Sequence, residues 1–145
     1  MFAPMRLTNF SDYALRVLMY AAAQPDRLIT IEETAERYGI SRAHLMKVVN
    51  LLTRAGYLAA VRGRSGGLRL GRPAETIVLG EVVRATEPDF QLVECFAADG
   101  RCLITPSCRL RSVLGEALAA FVATLDAYTL ADLVLTPAQF GLEPA

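Results

Sequence analysis

All three cysteines of this 145-residue chain lie in one short stretch, CFAADGRCLITPSC, as Cys95, Cys102 and Cys108. Three thiols are one fewer than a structural zinc site needs and one more than a disulfide uses. Iron–sulfur clusters are held by thiolates, commonly four, and a fourth ligand of another kind leaves one iron labile. The stretch therefore favours an iron–sulfur cluster, with a thiol switch, a zinc site and buried structural cysteine as the alternatives.

A fourth ligand would have to come from elsewhere. The one histidine, His44, lies in a basic segment far from the cysteines. Using it for metal would disrupt the surface that is expected to bind DNA. Carboxylates near the cysteines in sequence are Asp89, Glu94 and Asp99. A ligand from a distant helix or from a partner subunit is a further alternative, so these residues alone leave the fourth position open.

A second feature is a basic segment without acidic residues, which runs from Arg37 to Arg72. The whole chain has 15 basic and 15 acidic residues and no net charge. The charged side chains of the segment are Arg37, Arg42, Lys47, Arg54, Arg62, Arg64, Arg69 and Arg72. A local positive field of this kind attracts a phosphate backbone. The segment indicates nucleic-acid binding, and a solvated basic surface is the alternative.

Helices are predicted up to and into this segment. Thr8 or Ser11 can cap a first helix that runs to about Ala23. The sequence TIEE, which begins at Thr30, has the form of a capping box. The short helix that it opens is expected to stop at Gly39.

A third helix is predicted to begin at Ser41, after a three-residue turn. Its apolar stripe consists of Leu45, Val48, Val49 and Leu52. The predicted DNA contacts on its other side are Arg42, Ala43, His44, Lys47, Asn50 and Arg54. Small, cationic and amide side chains suit base edges and phosphates in a major groove. Two helices joined in this way predict a helix-turn-helix, in which the histidine is a surface or DNA-contacting residue.

A hairpin is predicted directly after the third helix. Residues 57–61 and 68–70 have the pattern of short strands, and RGRSGG joins them as a turn. A phosphate-cradling loop is disfavoured because no helix follows the glycines and no Lys-Ser or Lys-Thr pair ends the loop. The hairpin is therefore expected to be a wing whose Arg62, Arg64 and Ser65 contact DNA, with Arg64 entering a minor groove.

The remainder of the chain predicts a connection and a long helix. Residues 77–86 are expected as a strand end or short helix, and residues 88–107 as a loop that is ordered only if something ties it down. A helix from about residue 108 to 127 carries a broad apolar stripe: Leu110, Val113, Leu114, Ala117, Leu118, Phe121, Val122 and Leu125. This stripe is wider than a small winged helix can cover, which favours a dimer interface over internal packing alone. Thr129 is expected to cap a final turn.

The predicted fold is mainly α with a small β-hairpin. A winged helix-turn-helix is expected over residues 5–73, followed by a connecting segment with the cysteine loop over 74–107. A dimerisation helix and final turn should occupy 108–135, and a mobile tail 136–145. With 53% hydrophobic residues the chain can bury a core, no apolar run approaches the roughly 18 residues of a membrane span, and no secretory leader is evident. A cytoplasmic location is expected.

These motifs resemble a known family. The stretches LTNFSDYALRVL, YGISRAHLMKVVNLLTRAGY, VRGRSGGLRLGRP and LDAYTLADLV, with the cysteine loop, are similar to a family of winged-helix regulators. That family includes the NsrR-type nitric-oxide-sensing repressors and the IscR-like regulators of cluster biogenesis. The resemblance covers nearly the whole chain and matches the usual family start at Met5, so residues 1–4 are expected to be an upstream extension.

The resemblance implies a homodimer with one iron–sulfur cluster per subunit, bound by the three cysteines. Four-iron–four-sulfur is the expected form and two-iron–two-sulfur the alternative. In some NsrR-type members the fourth ligand is a first-helix aspartate of the other subunit, which matches Asp12 here; without the resemblance, Asp12 would be an ordinary carboxylate in a helix's first turn. IscR-like members use a histidine three residues after the last cysteine, where this chain has Arg111.

The sequence and the resemblance together predict a dimeric repressor that binds palindromic promoter DNA and responds to nitric oxide. A regulator that responds to cluster status or redox stress is the alternative within this class. A cysteine-based redox or electron-transfer protein is the alternative from another class, although such a protein has no need of an acid-free segment with a wing. No nucleophile, base and orienting group share a suitable spacing, so an enzyme is not expected.

Overall fold

The computed structural model describes residues 6–90 and 109–142. The first elements are helices α1 (Asn9–Ala22), α2 (Ile31–Tyr38) and α3 (Arg42–Arg54), then strands β1 (Leu58–Val61) and β2 (Gly67–Leu70). A 3-10 turn (Ala74–Thr76) and α4 (Leu79–Thr86) follow, and after the undescribed stretch come α5 (Arg109–Asp126) and two more 3-10 turns (Leu130–Leu133 and Pro137–Phe140). The expected fold class, mainly α with a small hairpin, is confirmed.

Side-chain caps set the beginnings of the first three helices. In Thr8, Thr30 and Ser41 the side-chain oxygen accepts a hydrogen bond from the backbone amide three residues further on, at 3.3, 3.1 and 3.1 Å. These bonds satisfy amides that have no partner within the helix. Gly39 ends α2 in the left-handed conformation, with φ of 67°. The predicted boundaries of these helices are confirmed. They could be predicted because a capping residue acts within its own turn and is recognisable in the sequence.

One hydrophobic core joins the two ends of the chain. The predicted stripe of α3 is buried, as are Ala14, Val17 and Leu18 of α1. Ile77, Val82 and Leu130 belong to the same cluster, although they come from the later part of the chain. The winged helix-turn-helix therefore completes its core with residues that lie beyond residue 73.

The start of α4 is paired with the final part of the chain. Val78 and Thr129 form an antiparallel bridge, in which the Leu130 amide donates to the Ile77 carbonyl at 2.8 Å. The Leu79 amide donates to the Tyr128 carbonyl at 3.0 Å. Residues 77–86 thus begin with a strand-like pair and continue as a short helix. Thr129 is the N-cap of the 3-10 turn Leu130–Leu133, and its backbone amide donates to the Asp132 carboxylate at 2.8 Å; a further turn follows this one.

The segment after residue 136 differs from the mobile tail that was expected. Residues 137–140 form a 3-10 turn, and the Phe140 ring lies 5.5 Å from the Tyr20 ring and 6.2 Å from the Tyr38 ring, edge to face. Leu142 is partly buried against the same core. An aromatic side chain placed between two others favours this docked position over a solvated one. Residues 143–145 lie outside the described part of the chain.

Helix α5 presents two different apolar sides. Leu114, Leu118, Val122 and Leu125 are partly buried, and α5 contacts α4. Leu110, Val113 and Phe121 are 58%, 49% and 47% exposed. Arg84 of α4 forms two bonds with the Asp126 carboxylate, at 2.8 and 2.5 Å, which ties the two helices together. Within the described ranges, no helix is long and apolar enough to cross a membrane.

Candidate nucleic-acid interface and cluster site

The outer face of α3 carries the predicted major-groove contacts. Ala43, Lys47, Asn50 and Arg54 are all exposed. They lie on the side of the helix opposite its buried stripe, as their spacing of three and four residues requires. The structure therefore brings these four side chains together on one surface that is free to meet another molecule.

Arg42, at the first position of α3, is also paired within the protein. Its guanidinium lies 2.9 Å from the Glu32 carboxylate of α2, and both side chains are exposed. The pKa of the Glu32 carboxyl is lowered by a hydrogen bond from the backbone amide of Glu32 itself and by the hydrogen bond from Arg42. The Arg42 charge is thus shared with a carboxylate, so this residue links the starts of α2 and α3 as well as bordering the predicted DNA surface.

His44 is anchored on α1 rather than extended into solvent. Its ring meets the Tyr13 ring edge to face, with 4.9 Å between centroids, and the Arg16 guanidinium lies 6.0 Å from the Tyr13 ring. Tyr13 was not predicted as a functional residue. No local sequence pattern marks it, because the contact joins two helices. Tyr13 therefore connects the first turns of α1 to the first turn of α3, the predicted DNA-contacting helix, which we call the reading helix.

Two glycines shape the tip of the hairpin. The strands pair from Leu58 with Leu70 to Val61 with Gly67, close to the predicted ranges. In the turn, Gly63 has a φ of 107° and the Gly66 amide donates to its carbonyl at 3.0 Å. A side chain at position 66 would overlap the Val61 carbonyl. This tight turn leaves its polar residues exposed: Arg62, Arg64 and Ser65.

The hairpin is attached to the helical body along β2 and at its base. Ile29 and Leu68 exchange two backbone hydrogen bonds of 2.9 and 2.7 Å. Arg72, at the end of the basic segment, lies over the Tyr57 ring at 4.8 Å and pairs with Glu81 at 3.2 Å. The basic side chains between Arg37 and Arg72 therefore form two groups. Some are exposed on the surface predicted to bind DNA, and others, such as Arg72, make contacts that stabilise the fold.

Of the candidate carboxylates near the cysteines, Asp89 lies within the described residues. Of the four ligands that the resemblance implies, only Asp12 does. It stands in the first turn of α1, 44% exposed, with its carboxylate 3.1 Å from Arg16 Nε. Cys95, Cys102 and Cys108 lie outside the described part of the chain, as do Glu94 and Asp99. In residues 6–90 and 109–142, no three histidine, cysteine or acidic side chains are grouped so as to hold a metal.

The donor set nevertheless fits an iron–sulfur group. Three thiols close in sequence would supply soft ligands, and the partly exposed Asp12 carboxylate, which pairs with Arg16, would be the fourth ligand in the scheme that the resemblance implies. Arg111, which stands where a histidine ligand would be needed in the IscR-like scheme, has no ligand atom for iron at neutral pH. The residues present therefore match the NsrR-type arrangement better.

Comparison with known proteins decides the family. Residues 7–136 match the Rrf2 family, which is described as an iron-dependent transcriptional regulator. The chain belongs to the Rrf2 family. It is 54% identical over 132 residues to the HTH-type transcriptional regulator NsrR of Bacillus subtilis (strain 168), covering 90% of each chain. It is therefore a transcriptional regulator rather than an enzyme.

Solved structures of other regulators share the fold of this Rrf2 protein. CymR, the global cysteine regulator of B. subtilis, superposes with a TM-score of 0.72 at 23% identity, covering 90% of this chain and 96% of that one. IscR of T. potens also gives 0.72 at 23% identity, covering 89% and 85%. These structures confirm the winged-helix architecture.

Proposed function

We propose that this Rrf2 protein is a dimeric repressor that binds a palindromic promoter site and releases it in response to nitric oxide. The observation that carries the DNA part is the exposed face of α3 beside an exposed hairpin tip, within a segment that has no acidic residue. The signal is inferred from the 54% identity to NsrR and from the three-cysteine stretch.

For DNA binding, α3 would lie in a major groove and the hairpin would reach the adjacent minor groove. Lys47, Asn50 and Arg54 would then meet base edges and phosphates, while Arg64 would occupy the narrow groove. Two subunits related by a two-fold axis would read a palindrome whose half-site centres lie about one or two helical turns apart. The exposed side of α5 is where we place the contact between subunits.

For sensing, Cys95, Cys102 and Cys108 would hold the cluster together with Asp12 of the partner subunit. A four-iron–four-sulfur cluster held in this way supplies one iron without a thiolate ligand, where nitric oxide can bind. The residues of the chain would pass the signal on through contacts between helices. Asp12 lies in the same turn of α1 as Tyr13, and Tyr13 packs on His44 of α3. A shift at Asp12 would therefore change how α3 is presented to its half-site.

This link would make DNA binding depend on the ligand state of Asp12. A coupling of about 1–3 kcal/mol is typical between two sites and changes affinity roughly 5- to 150-fold. The loss of affinity would come from a change in the distance between the α3 helices of the two subunits. Both helices must fit their half-sites at the same time for the dimer to bind tightly.

The test is an anaerobic titration of the operator complex with nitric oxide, with visible absorption followed alongside. We expect operator affinity to fall within the range above as the cluster signal changes. Cys102→Ala, which removes one thiolate, is expected to lack the cluster absorption, to bind DNA weakly and to be indifferent to nitric oxide. A full change in the cluster spectrum with unaltered operator affinity would show that the cluster is not the switch.

The same titration separates the alternative within the class. The family description as iron-dependent is consistent with a regulator that responds to cluster status. Such a protein would keep its operator until the cluster iron leaves the protein, whether a chelator or nitric oxide removes it, whereas the proposed sensor would release the operator while the nitrosylated iron is still bound. Two-iron clusters, the alternative form, would be distinguished by the iron content per subunit.

A further inference from the structure

A group of polar side chains fastens the beginning of α1 to the end of α4. The Glu87 carboxylate accepts hydrogen bonds from the Thr8 amide at 3.1 Å and from the Thr8 hydroxyl at 2.6 Å. It also accepts a bond from the Ser11 hydroxyl, which lies 2.7 Å from the Thr86 hydroxyl. We call these four residues, Thr8, Ser11, Thr86 and Glu87, the α1 clasp.

The chemistry of the clasp suits its position. The first amides of a helix have no partner within it, and the helix dipole favours a negative group there. Glu87 supplies that group from 79 positions further along the chain. Ser11 is fully buried and Thr86 nearly so, and hydrogen bonds to a charged acceptor are stronger than neutral ones. The start of α1 is thus held by a distant residue as well as by its own cap.

The clasp also stands between two parts of the proposed sensor. Glu87 follows the last residue of α4, and the segment with the three cysteines comes after it in the chain. Ser11, on the other side of the clasp, directly precedes Asp12 and Tyr13. Tyr13 in turn contacts His44 of the predicted reading helix. The Glu87 carboxylate therefore joins the end of α4, which precedes the cysteine segment in the chain, to the turn of α1 that contacts α3.

We propose that Glu87 is a positioning residue that couples the end of α4 to the reading helix. By holding the first turn of α1, its carboxylate fixes where Asp12 and Tyr13 stand relative to α4. A shift on one side of the clasp is then passed to the other as a movement of α1. The inference rests on the proposed function, since it concerns how the nitric oxide signal reaches DNA.

The test compares Glu87→Gln with Glu81→Gln in the cluster-loaded dimer at matched iron content. Glutamine keeps the size of the side chain but removes the charge from the clasp. Glu81 lies on the same helix, is exposed, and has one arginine partner, so its loss should matter little. Two quantities are measured: hydrogen exchange of the first-turn amides of α1, and the ratio of operator affinities without and with nitric oxide.

For Glu87→Gln we expect amide exchange in the first turn of α1 to become at least about tenfold faster, as weakening of charged hydrogen bonds implies. We expect the nitric oxide ratio to fall to less than about a third of the wild-type ratio, which typically lies between about 5 and 150. Glu81→Gln should match the wild type in both measurements.

Other outcomes would overturn the inference. If exchange accelerates and the nitric oxide ratio stays at the wild-type value, Glu87 is only a helix cap; if neither quantity changes, the clasp has no part in coupling. Should Glu87→Gln fail to fold, Ser11→Ala removes one hydroxyl of the clasp with little change in volume. An unchanged ratio in that variant would contradict the proposal equally. A wild type that ignores nitric oxide would refute the proposed function, and this inference with it.

Discussion

At the scale of single residues, Tyr38 shows how the burial of a phenol makes the stability of the fold depend on pH. Its hydroxyl donates to the Arg16 carbonyl at 2.9 Å, and burial raises its pKa from 10.0 to about 12. Because the folded pKa is raised, the neutral phenol contributes stability that is complete below pH 10 and is lost as the pH rises towards 12.

The prediction is that Tyr38→Phe removes this part of the pH dependence. Between about pH 10 and 12, the free energy of unfolding should fall less steeply with pH in the variant than in the wild type. Burial raises the pKa of Tyr57 as well, so ultraviolet titration of the wild type should show more than one late-ionising tyrosine, and the step that belongs to Tyr38 should be missing from the variant. Tyr128→Phe, at an exposed position, serves as the control and should retain that late step.

Lys47 allows a test of the predicted phosphate contacts. Lys47→Ala should weaken operator binding to a similar degree across operator sequences, and should make the salt dependence shallower by about one unit. Arg37→Ala is the matched control, because Arg37 borders a groove that also contains the acidic side chains of Glu33 and Glu36. Gel shifts over a range of salt concentrations provide the measurement. Equal slopes for Lys47→Ala and the wild type would remove Lys47 from the interface.

At the scale of elements, the hairpin depends on a glycine for its shape. A methyl group at position 66 would meet the Val61 carbonyl, and it cannot move away without opening the turn. Gly66→Ala should therefore displace the hairpin tip that carries Arg64, and weaken operator binding with the loss of any preference for A·T-rich flanks. Far-ultraviolet circular dichroism should stay helical, since α1, α2 and α3 do not include the turn. Wild-type affinity and flank preference in the variant would show that the tip does not touch DNA.

The elements also show which features a sequence reveals. The starts of α1, α2 and α3 were predicted closely because Thr8, Thr30 and Ser41 act within their own turn. Residues 77–86 were ambiguous, since the bridge to Thr129 and the helix behind it need a partner that is distant in sequence. Long-range pairs of this kind leave no periodic trace in the sequence.

The same reason accounts for the site residues. The exposed face of α3 followed from helical spacing, so its four residues were found together as predicted. Tyr13 and Glu87 were missed because each acts on another helix. The docking of Phe140 was missed as well, because a single aromatic near the end of a chain does not indicate which groove will accept it.

At the scale of the whole molecule, the exposed side of α5 is the surface predicted to join two subunits. Phe121→Glu places a charge on this side and should shift the protein from dimer to monomer. Ala119→Glu, which lies on another side of the helix and is also exposed, is the matched control. Light scattering coupled to gel filtration measures the mass of each. A Phe121→Glu protein that remains dimeric would place the interface elsewhere.

The shared core has a consequence for how the protein is made. Leu130 is fully buried in the core that α1 and α3 also line, and its amide donates a hydrogen bond to the Ile77 carbonyl. On the ribosome, a nascent chain that has emerged only through its hairpin still lacks this side chain and keeps an apolar opening in its place. Domains usually fold as units during synthesis, but here the core closes only when Leu130 has emerged. The growing polypeptide should therefore acquire its DNA-reading shape only after residue 130 has emerged, by which point α5, where we place the contact between subunits, has emerged as well.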